Sequence, residues 1–504
     1  MELYYLGKIL LMTAVCAPFA GAVALAVMFP YFGGRSAKAV GLLTSAVSLV
    51  AALALWGIFA GEYSDTLGFA FKTSEKLFGL TVAQFALNSV SMPMFALAAI
   101  VGFAASVWAA NSELNNAKLY FLLMMIMQGG LFGAFASVNI LWMYIFHEFA
   151  LVPTFIAMSI WGGAGRRMAA MEMAVYLTAG ALVSLVGIIA LKEQVASDSF
   201  SLSDIVLAAV TNPLDASWQY VIFGLLMFGL GALVSLFPFY SWAPRAYAAA
   251  PTSFAMLHAG VLKKFGLYVI IQAVVPFVSA GCADWSKTLA VLALFNVIYI
   301  GAVTMAQRDL KLMVSYSSVS HMGLCFLGIA SMSVLGSGGA VLLMFGHGLS
   351  AALTFMLANA VVNRTGEWDM HKMGGLYKQT PVLASFFLAA TLAGIGLPGF
   401  ANFWGEFSVL ISLWDFSPTI CALAASGIII SAVYGLRAFA MVFMGEPSAE
   451  ISAHFAQIPD MSAREKIPAA ILVAALLFAG FFPKSITDGL DTTLSAVPAL
   501  TQSK

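Results

Sequence analysis

The stretch AGIGLPGFANFWGEF (residues 393–407) places a proline deep inside an apolar segment. A second apolar stretch, LVSLFPFYSWAPRAY (residues 233–247), carries two prolines in the same way. Proline lacks a backbone donor and clashes with the preceding turn, so each helix should break there. Within lipid, a break persists only where other protein or water satisfies the freed backbone groups. The two stretches therefore predict two broken membrane helices, at Pro238 and Pro398.

The composition places the rest of the chain in the membrane as well. Of the 504 residues, 62 % are hydrophobic and only 9 % are charged, and the mean hydropathy is +0.95. An apolar run of about 20 residues spans a bilayer, and the sequence contains roughly fourteen such runs. Each run must be a helix, because a helix satisfies its own backbone hydrogen bonds, and the alternation of a membrane barrel is absent. The sequence predicts an all-α polytopic membrane protein.

The two broken helices are the seventh and twelfth of the predicted spans. An offset of five helices puts the second copy upside down in the membrane, as in inverted-repeat transporters with a binding site near the midplane. Two unrelated proline kinks are the alternative explanation. The predicted spans are residues 8–30, 38–61, 88–110, 118–137, 140–161, 172–191, 218–243, 250–277, 286–307, 310–331, 337–362, 382–412, 418–444 and 466–483.

Two features of the polar residues constrain topology and chemistry. Lys and Arg favour cytoplasmic loops, and most of them follow odd-numbered spans, which predicts both termini outside. The four cysteines are too far apart for iron–sulfur or zinc spacing, and the chain lacks nucleotide-binding and haem motifs. We therefore expect neither redox nor nucleotide chemistry in this chain, and no nucleic acid partner.

Several ionisable residues lie inside the predicted spans, where they are costly and usually mark ion or substrate paths. Glu148 stands in the fifth span beside His147, and Lys263 stands beside Lys264 in the eighth. Adjacent helical residues point about 100° apart, so only one of each pair needs to face the interior. A buried carboxylate or amine can take up and release a proton as a neighbouring charge changes. The alternatives are a structural Glu–Lys pair and a lysine that reaches the membrane surface.

Three histidines and a second glutamate extend this series. His321 and His347 have small or hydroxyl neighbours that leave room for water, and imidazole titrates near neutrality. His258 is compatible with a relay and with a histidine bonded to a backbone carbonyl. Glu406 follows the second break by eight residues. Spread over several helices at similar depth, these groups predict a proton wire, and histidines packed on backbone carbonyls are the structural alternative.

Four segments resemble one protein family. FHEFALVPTFIAMSIWG, AQRDLKLMVSYSSVSHMG, FGHGLSAALTFML and GLPGFANFWGEFSVL look like subunit M of bacterial respiratory complex I, the chain 4 type of antiporter-like subunit. That family is related to subunits of multisubunit Na⁺/H⁺ antiporters. The resemblance runs from the fourth span through the thirteenth, and it implies fourteen helices with helices 7 and 12 broken. It divides the chain into helices 1–3 (1–110), a first repeat of helices 4–8 (118–277), a second, inverted repeat of helices 9–13 (286–444), and a C-terminal helix and tail (466–504).

The resemblance also implies a proton pathway. The family's helix 5 glutamate falls on Glu148, and its helix 8 lysine falls on Lys264. Its helix 10 and helix 11 histidines fall on His321 and His347, and its terminal helix 12 glutamate falls on Glu406. These side chains would form a central hydrophilic axis in the membrane.

One position departs from the family. The helix 7 lysine, which pairs with the helix 5 glutamate, would fall on Leu233, and leucine cannot ionise. Arg245 stands where the family has an acid, and His258 is more typical of the related subunit L. Either pumping by this copy is altered or lost, or another cation partners the glutamate, namely Lys263, Lys264 or Arg245.

The resemblance implies a proton-translocating subunit of a complex-I-type quinone oxidoreductase in the bacterial inner membrane. FMN, iron–sulfur clusters and quinone are expected in partner subunits, with no redox centre in this chain. Its partners would be lipid and membrane-arm subunits of the L, N, K, J, A and H types. The alternatives are a subunit of a Na⁺/H⁺ antiporter and a degenerate paralogue with a structural role.

Overall fold

The computed structural model describes the chain in five ranges, residues 2–27, 33–59, 68–77, 80–452 and 455–501. Within these ranges, twelve helices are long and apolar enough to cross a membrane. A thirteenth candidate is the bent pair Ala463–Phe481 and Lys484–Ser495, whose axes differ by 60°. The prediction of an all-α polytopic membrane protein is confirmed.

The helices follow the predicted spans, with short additions between them. The N-terminal elements are α1 (Glu2–Val27), α2 (Gly34–Phe59), β1 (Ala70–Leu77), β2 (Leu80–Leu87), α3 (Ser91–Asn111), α4 (Ala117–Ala136), α5 (Ile140–Trp161), α6 (Arg166–Gln194), α7 (Leu202–Thr211), α8 (Ala216–Val234), α9 (Trp242–Ala249) and α10 (Thr252–Gly260). The remaining helices are α11 (Phe265–Val269), α12 (Ser279–Leu294), α13 (Gly301–Met305), α14 (Leu310–Ala330), α15 (Val334–Thr365), α16 (Pro381–Gly394), α17 (Ala401–Phe416), α18 (Pro418–Phe443), α19 (Ala449–Ser452), α20 (Ala463–Phe481), α21 (Lys484–Ser495) and α22 (Pro498–Thr501).

The first break lies where the sequence predicts it, with Pro238 in the turn between α8 and α9. Asn296 pairs with two backbone groups just before Pro238. Its Oδ1 accepts from the Phe237 N–H at 2.7 Å, and its Nδ2 donates to the Ser235 carbonyl at 2.9 Å. Asn296 itself lies in a π-helical turn, Phe295–Ile300, that connects α12 and α13. Two backbone groups at the break are therefore paired with protein, as a break at membrane depth requires.

The second break is also confirmed, with Pro398 between α16 and α17. Neither half is long enough to span a membrane alone. If this pair and the bent C-terminal pair each count as one span, the described residues contain the fourteen predicted spans. The inverted relationship of the two repeats and the four-part division of the chain stay predictions.

A β-hairpin occupies the segment between the second and third predicted spans. β1 and β2 pair antiparallel, with Ala70 opposite Leu87 and Thr73 opposite Phe85. Phe71 is buried, and its ring centroid lies 5.9 Å from that of Tyr4 in α1. The hairpin therefore packs against the first helix, away from the two breaks.

Candidate functional site

Side-chain caps fix where three helices of the site begin. The Asn139 side chain accepts from the first backbone N–H groups of α5, at 3.0 and 3.2 Å. Asp309 caps α14 in the same way at 2.8 Å, and Ser333 caps α15 at 3.0 Å. Such caps satisfy backbone donors that have no partner within the helix. The caps therefore fix the start of α5, α14 and α15, and so the positions of the titratable residues along these helices.

The eighth predicted span is interrupted at its two lysines. α10 ends at Gly260, a 3₁₀ turn covers Leu262–Lys264, and the helix then resumes. Gly260 lies against Gly348 of α15, and a Cβ on Gly260 would be 2.9 Å from the Gly348 carbonyl oxygen. Only glycine allows the two backbones to approach so closely. This close approach brings the 3₁₀ turn Leu262–Lys264, called the lysine turn below, next to α15.

Lys264 and His347 form the centre of a buried polar cluster. The Lys264 Nζ lies 3.1 Å from His347 Nδ1 and also donates to the Ala259 carbonyl. The exposed fractions of the lysine and the histidine are 0 % and 3 %. An ammonium group only donates, so His347 Nδ1 accepts while Lys264 is charged, and the ring then holds its proton on Nε2. The contact allows a proton to pass between two helices.

His321 on α14 continues the cluster, with its ring centroid 5.3 Å from that of His347. Its Nδ1 lies 2.8 Å from the Ser317 carbonyl oxygen, and its Nε2 lies 2.7 Å from the Gly394 carbonyl oxygen. Carbonyl groups only accept, so the protonated ring satisfies both of them and the neutral ring satisfies one. Gly394 is the last residue of α16. The protonation state of His321 therefore affects its hydrogen bond to the second broken helix.

Glu406 on α17 lies at the far end of this cluster, with an exposed fraction of 4 %. Its carboxylate interacts electrostatically with Tyr434 and Cys325. The Tyr434 hydroxyl lies 3.4 Å from His321 Nδ1, where it can donate to the neutral ring. The tyrosine therefore contacts the histidine pair and lies within electrostatic range of the glutamate.

Gly396 leaves the space that the Glu406 carboxylate occupies. Its φ is +76°, and a Cβ on it would overlap the carboxylate oxygens. We expect Gly396→Ala to lower the midpoint of thermal unfolding, since a left-handed non-glycine residue costs about 1–2 kcal/mol, and to impair proton pumping. Gly445→Ala is the matched control, because Gly445 has φ +78° but open space around it. Equal pumping in the two variants would show that the Glu406 position is unimportant.

A second group of buried polar atoms surrounds Lys263, the neighbour of Lys264 in the lysine turn. Among the described residues, four buried atoms in this region have no hydrogen-bond partner, namely His147 Nδ1, Tyr247 Oη, His258 Nδ1 and Lys263 Nζ. The Lys263 Nζ lies 5.4 Å from the Tyr247 ring centroid, and the Tyr247 and His258 rings are 5.2 Å apart. His258 also interacts electrostatically with His147. Buried polar groups without protein partners normally bind ordered water, so this cluster suits a hydrated passage.

The fifth span turns His147 inward and Glu148 outward. His147 stacks on Phe265 with 4.4 Å between ring centroids and is 3 % exposed, whereas 45 % of the Glu148 side chain is exposed. Glu148 Oε1 lies 3.6 Å from His147 Nδ1. Among the described residues, Glu148 therefore adjoins the buried polar groups through His147, and it also lies within electrostatic range of the buried Tyr144.

In the part of the chain that the structure describes, none of the proposed substitute cations pairs with Glu148. Arg245 pairs instead with Glu172 on α6, with 3.0 Å between Nη1 and Oε2. Both lysines lie in the buried clusters described above. Leu233 is buried and faces Gly180 of α6. Of the ion pairs among the described residues, the outward carboxylate takes part in the one with His147.

Three residues of the candidate site carry no charge, so a search of the predicted spans for charged groups does not find them. Tyr247 and Tyr434 are neutral phenols in segments with other aromatic residues, so composition does not single them out. Asn296 is the one asparagine within the predicted ninth span, whose other amide, Gln307, is its last residue. An amide in the middle of a span is a usable signal, because a buried amide in lipid needs partners. The sequence shows His147 as the neighbour of Glu148 but does not indicate that its side chain points inward.

Comparison with known proteins places these clusters in a family context. Residues 137–431 match the family described as NADH:quinone oxidoreductase/Mrp antiporter, transmembrane region. The chain is 33 % identical to NAD(P)H-quinone oxidoreductase chain 4 of a Synechococcus strain, with 88 % of this chain and 84 % of that protein aligned. It is 32 % identical to NADH-quinone oxidoreductase subunit M of Rickettsia felis, with 73 % of each chain aligned.

Solved structures share the fold over nearly the whole chain. A chain of respiratory complex I from Thermus thermophilus superimposes with a TM-score of 0.87 at 27 % identity, covering 97 % of this chain and 99 % of that one. A chain of the Mrp complex from Dietzia sp. gives a TM-score of 0.82 at 18 % identity, covering 98 % and 97 %. The second similarity concerns the fold alone.

Proposed function

Because the chain belongs to the NADH:quinone oxidoreductase/Mrp antiporter transmembrane family, we propose that it is a proton-translocating subunit in the membrane arm of a complex-I-type quinone oxidoreductase. The observation that carries this proposal is the series of buried titratable side chains between His147 and Glu406. Relatives at 32–33 % identity are subunits of NADH- or NAD(P)H-quinone oxidoreductases. The enzymatic activity belongs to the whole complex.

The proposed route runs laterally through the membrane interior. A proton passes from Glu148 to His147, and water among the unpartnered polar atoms around Lys263 then carries it to Lys264. From there it moves to His347 Nδ1, on to His321, and through Tyr434 to the last carboxylate. Arg245 is not included, because it pairs with Glu172 at the surface. The side chains of the route are, in order, Glu148, His147, His258, Tyr247, Lys263, Lys264, His347, His321, Tyr434 and Glu406.

In this route, the charge on Lys264 controls whether a proton can move to His347. In a low-dielectric interior, one charge changes the free energy of every charge near it. A charged Lys264 holds His347 in the accepting tautomer, and a neutral Lys264 releases that constraint. An event in a distant subunit could therefore bias proton movement here by shifting the charge on one group, which is allosteric coupling between sites.

Partner chains supply the redox chemistry in this proposal. FMN, iron–sulfur clusters and quinone would be bound by other subunits, and this chain would contribute no redox centre. Its neighbours would be lipid and membrane-arm subunits of the L, N, K, J, A and H types. The location would be the bacterial inner membrane, with both termini outside.

A cation/proton antiporter subunit would have the same fold, so function has to be tested biochemically. The solubilised native complex is expected to reduce quinone with NADH, ferredoxin or a related donor, and to pump protons when reconstituted in vesicles. Cation/proton exchange that proceeds without any donor or quinone would favour the antiporter instead. Genes for quinone-reductase peripheral subunits next to this one would support the first result.

Glu148→Gln is expected to remove this chain's share of the protons pumped per quinone reduced while leaving the complex assembled. The amide keeps the shape of the carboxylate but cannot take up a proton for His147. Glu193→Gln, at an exposed position near the end of α6, is the control and should pump normally. Unchanged pumping stoichiometry in Glu148→Gln would rule out its role in the route.

A further inference from the structure

The described residues form an open apolar groove of about 1030 Å³ that is separate from the proton route. It lies between α2, α3, α15 and the C-terminal helices α20 and α21. Leu53, Met92, Phe345, Ile471 and Phe478 are among the side chains that line it. Its volume is near the upper end of ligand sites, which run from roughly 300 to 1,000 Å³.

One end of the groove carries a cation and an anion. Lys484 and Asp488 both line it, and they lie one turn apart on α21. α21 bends 60° away from α20 and buries Ile486 and Leu490, so its apolar side faces the protein and its polar side faces out. A helix of this kind lies in the interface between lipid and water.

The position of Trp56 indicates how deep in the membrane this polar end lies. The Trp56 Nε1 donates to the Ser485 carbonyl at 3.3 Å, and its ring packs edge-on against Phe345 at 5.8 Å between centroids. Tryptophan is enriched where hydrocarbon meets headgroups, because its ring is apolar and its N–H is polar. The groove therefore passes from hydrocarbon depth to headgroup depth over its length.

We propose that this groove binds a phospholipid with a primary-amine headgroup, of the phosphatidylethanolamine type. Its acyl chains fill the apolar part, its phosphate pairs with Lys484, and its ammonium group donates to the Asp488 carboxylate. Both headgroup contacts are charge-assisted hydrogen bonds, which are the stronger class. An anionic lipid without an amine would place its charge beside Asp488 without compensation. This inference does not rest on the proposed function.

The test measures lipid retained by the purified intact complex after delipidation and addition of mixed micelles containing phosphatidylethanolamine or phosphatidylglycerol. Lys484→Ala and Asp488→Asn are each expected to lower retained phosphatidylethanolamine by about tenfold, the effect of losing one charge-assisted hydrogen bond. Gly57→Phe should lower it as well, because Gly57 lines the groove and has no atom within 4 Å of its Cβ position. Lys287→Ala, at an exposed position on α12, is the control and should retain the lipid normally.

Two results would overturn the proposal. Equal retention of phosphatidylglycerol and phosphatidylethanolamine by the unmodified complex would remove the role of Asp488. Loss of a neighbouring subunit from Gly57→Phe with phosphatidylethanolamine unchanged would show that the groove holds protein instead of lipid. Preferential loss of phosphatidylethanolamine from all three variants would support it.

Discussion

A Lys264→Ala variant is expected to lose this chain's share of proton pumping, and Lys263→Ala is expected to lose less of it. Lys264 is the side chain that contacts the histidine pair, through His347 Nδ1 at 3.1 Å. Lys263 lies in the group with Tyr247 and His258, whose remaining polar atoms would still carry a proton through water. Removing Lys264 therefore separates the two clusters, whereas removing Lys263 only alters one of them.

The measurement is the number of protons pumped per quinone reduced in vesicles that contain the assembled complex. The two variants are matched, because both remove the same side chain from a position that is at most 1 % exposed. Differences in packing loss should therefore be small. The reverse order, with Lys263→Ala the more damaging change, would show that the route passes through the other lysine.

Asn296→Leu is expected to cause a large loss of stability centred on the first break. Leucine has a similar size but leaves the Phe237 N–H and the Ser235 carbonyl without their partners. A buried polar group that loses its partner costs about 1–3 kcal/mol, so the two together cost about 2–6 kcal/mol. The observable effect would be a lower midpoint of thermal unfolding in the solubilised complex, with less of the chain assembled.

Asn363→Leu supplies the control for this substitution. Asn363 is exposed on α15, where such a change is usually within about 0.5 kcal/mol of neutral. The two variants should therefore differ clearly in their unfolding midpoints. An Asn296→Leu midpoint equal to that of Asn363→Leu would mean that another group satisfies the broken helix.

The large features of the fold follow from the sequence because they depend on local chemistry. Length and apolarity determine the spans, and proline determines the breaks at Pro238 and Pro398. Titratable residues inside spans are few, so the lysine pair, His321, His347 and Glu406 stand out without a structure, and the family resemblance selects Lys264 from the pair. All four are buried, and the distances above connect Lys264, His347 and His321.

The direction of adjacent side chains could not be predicted in the same way. Whether His147 or Glu148 faces the interior depends on how α5 is rotated against its neighbours, and an apolar helix gives little signal of that rotation. The same holds for the lysine turn, whose geometry depends on the contact between Gly260 and Gly348, distant residues in the sequence. Tertiary contacts decided both cases.

The most direct test of the account is a map of ordered water in the assembled complex at a resolution that locates single molecules. We predict water bound to His147 Nδ1, Tyr247 Oη, His258 Nδ1 and Lys263 Nζ, bridging toward Lys264. Dry apolar packing between these atoms would contradict a lateral path for protons through this chain.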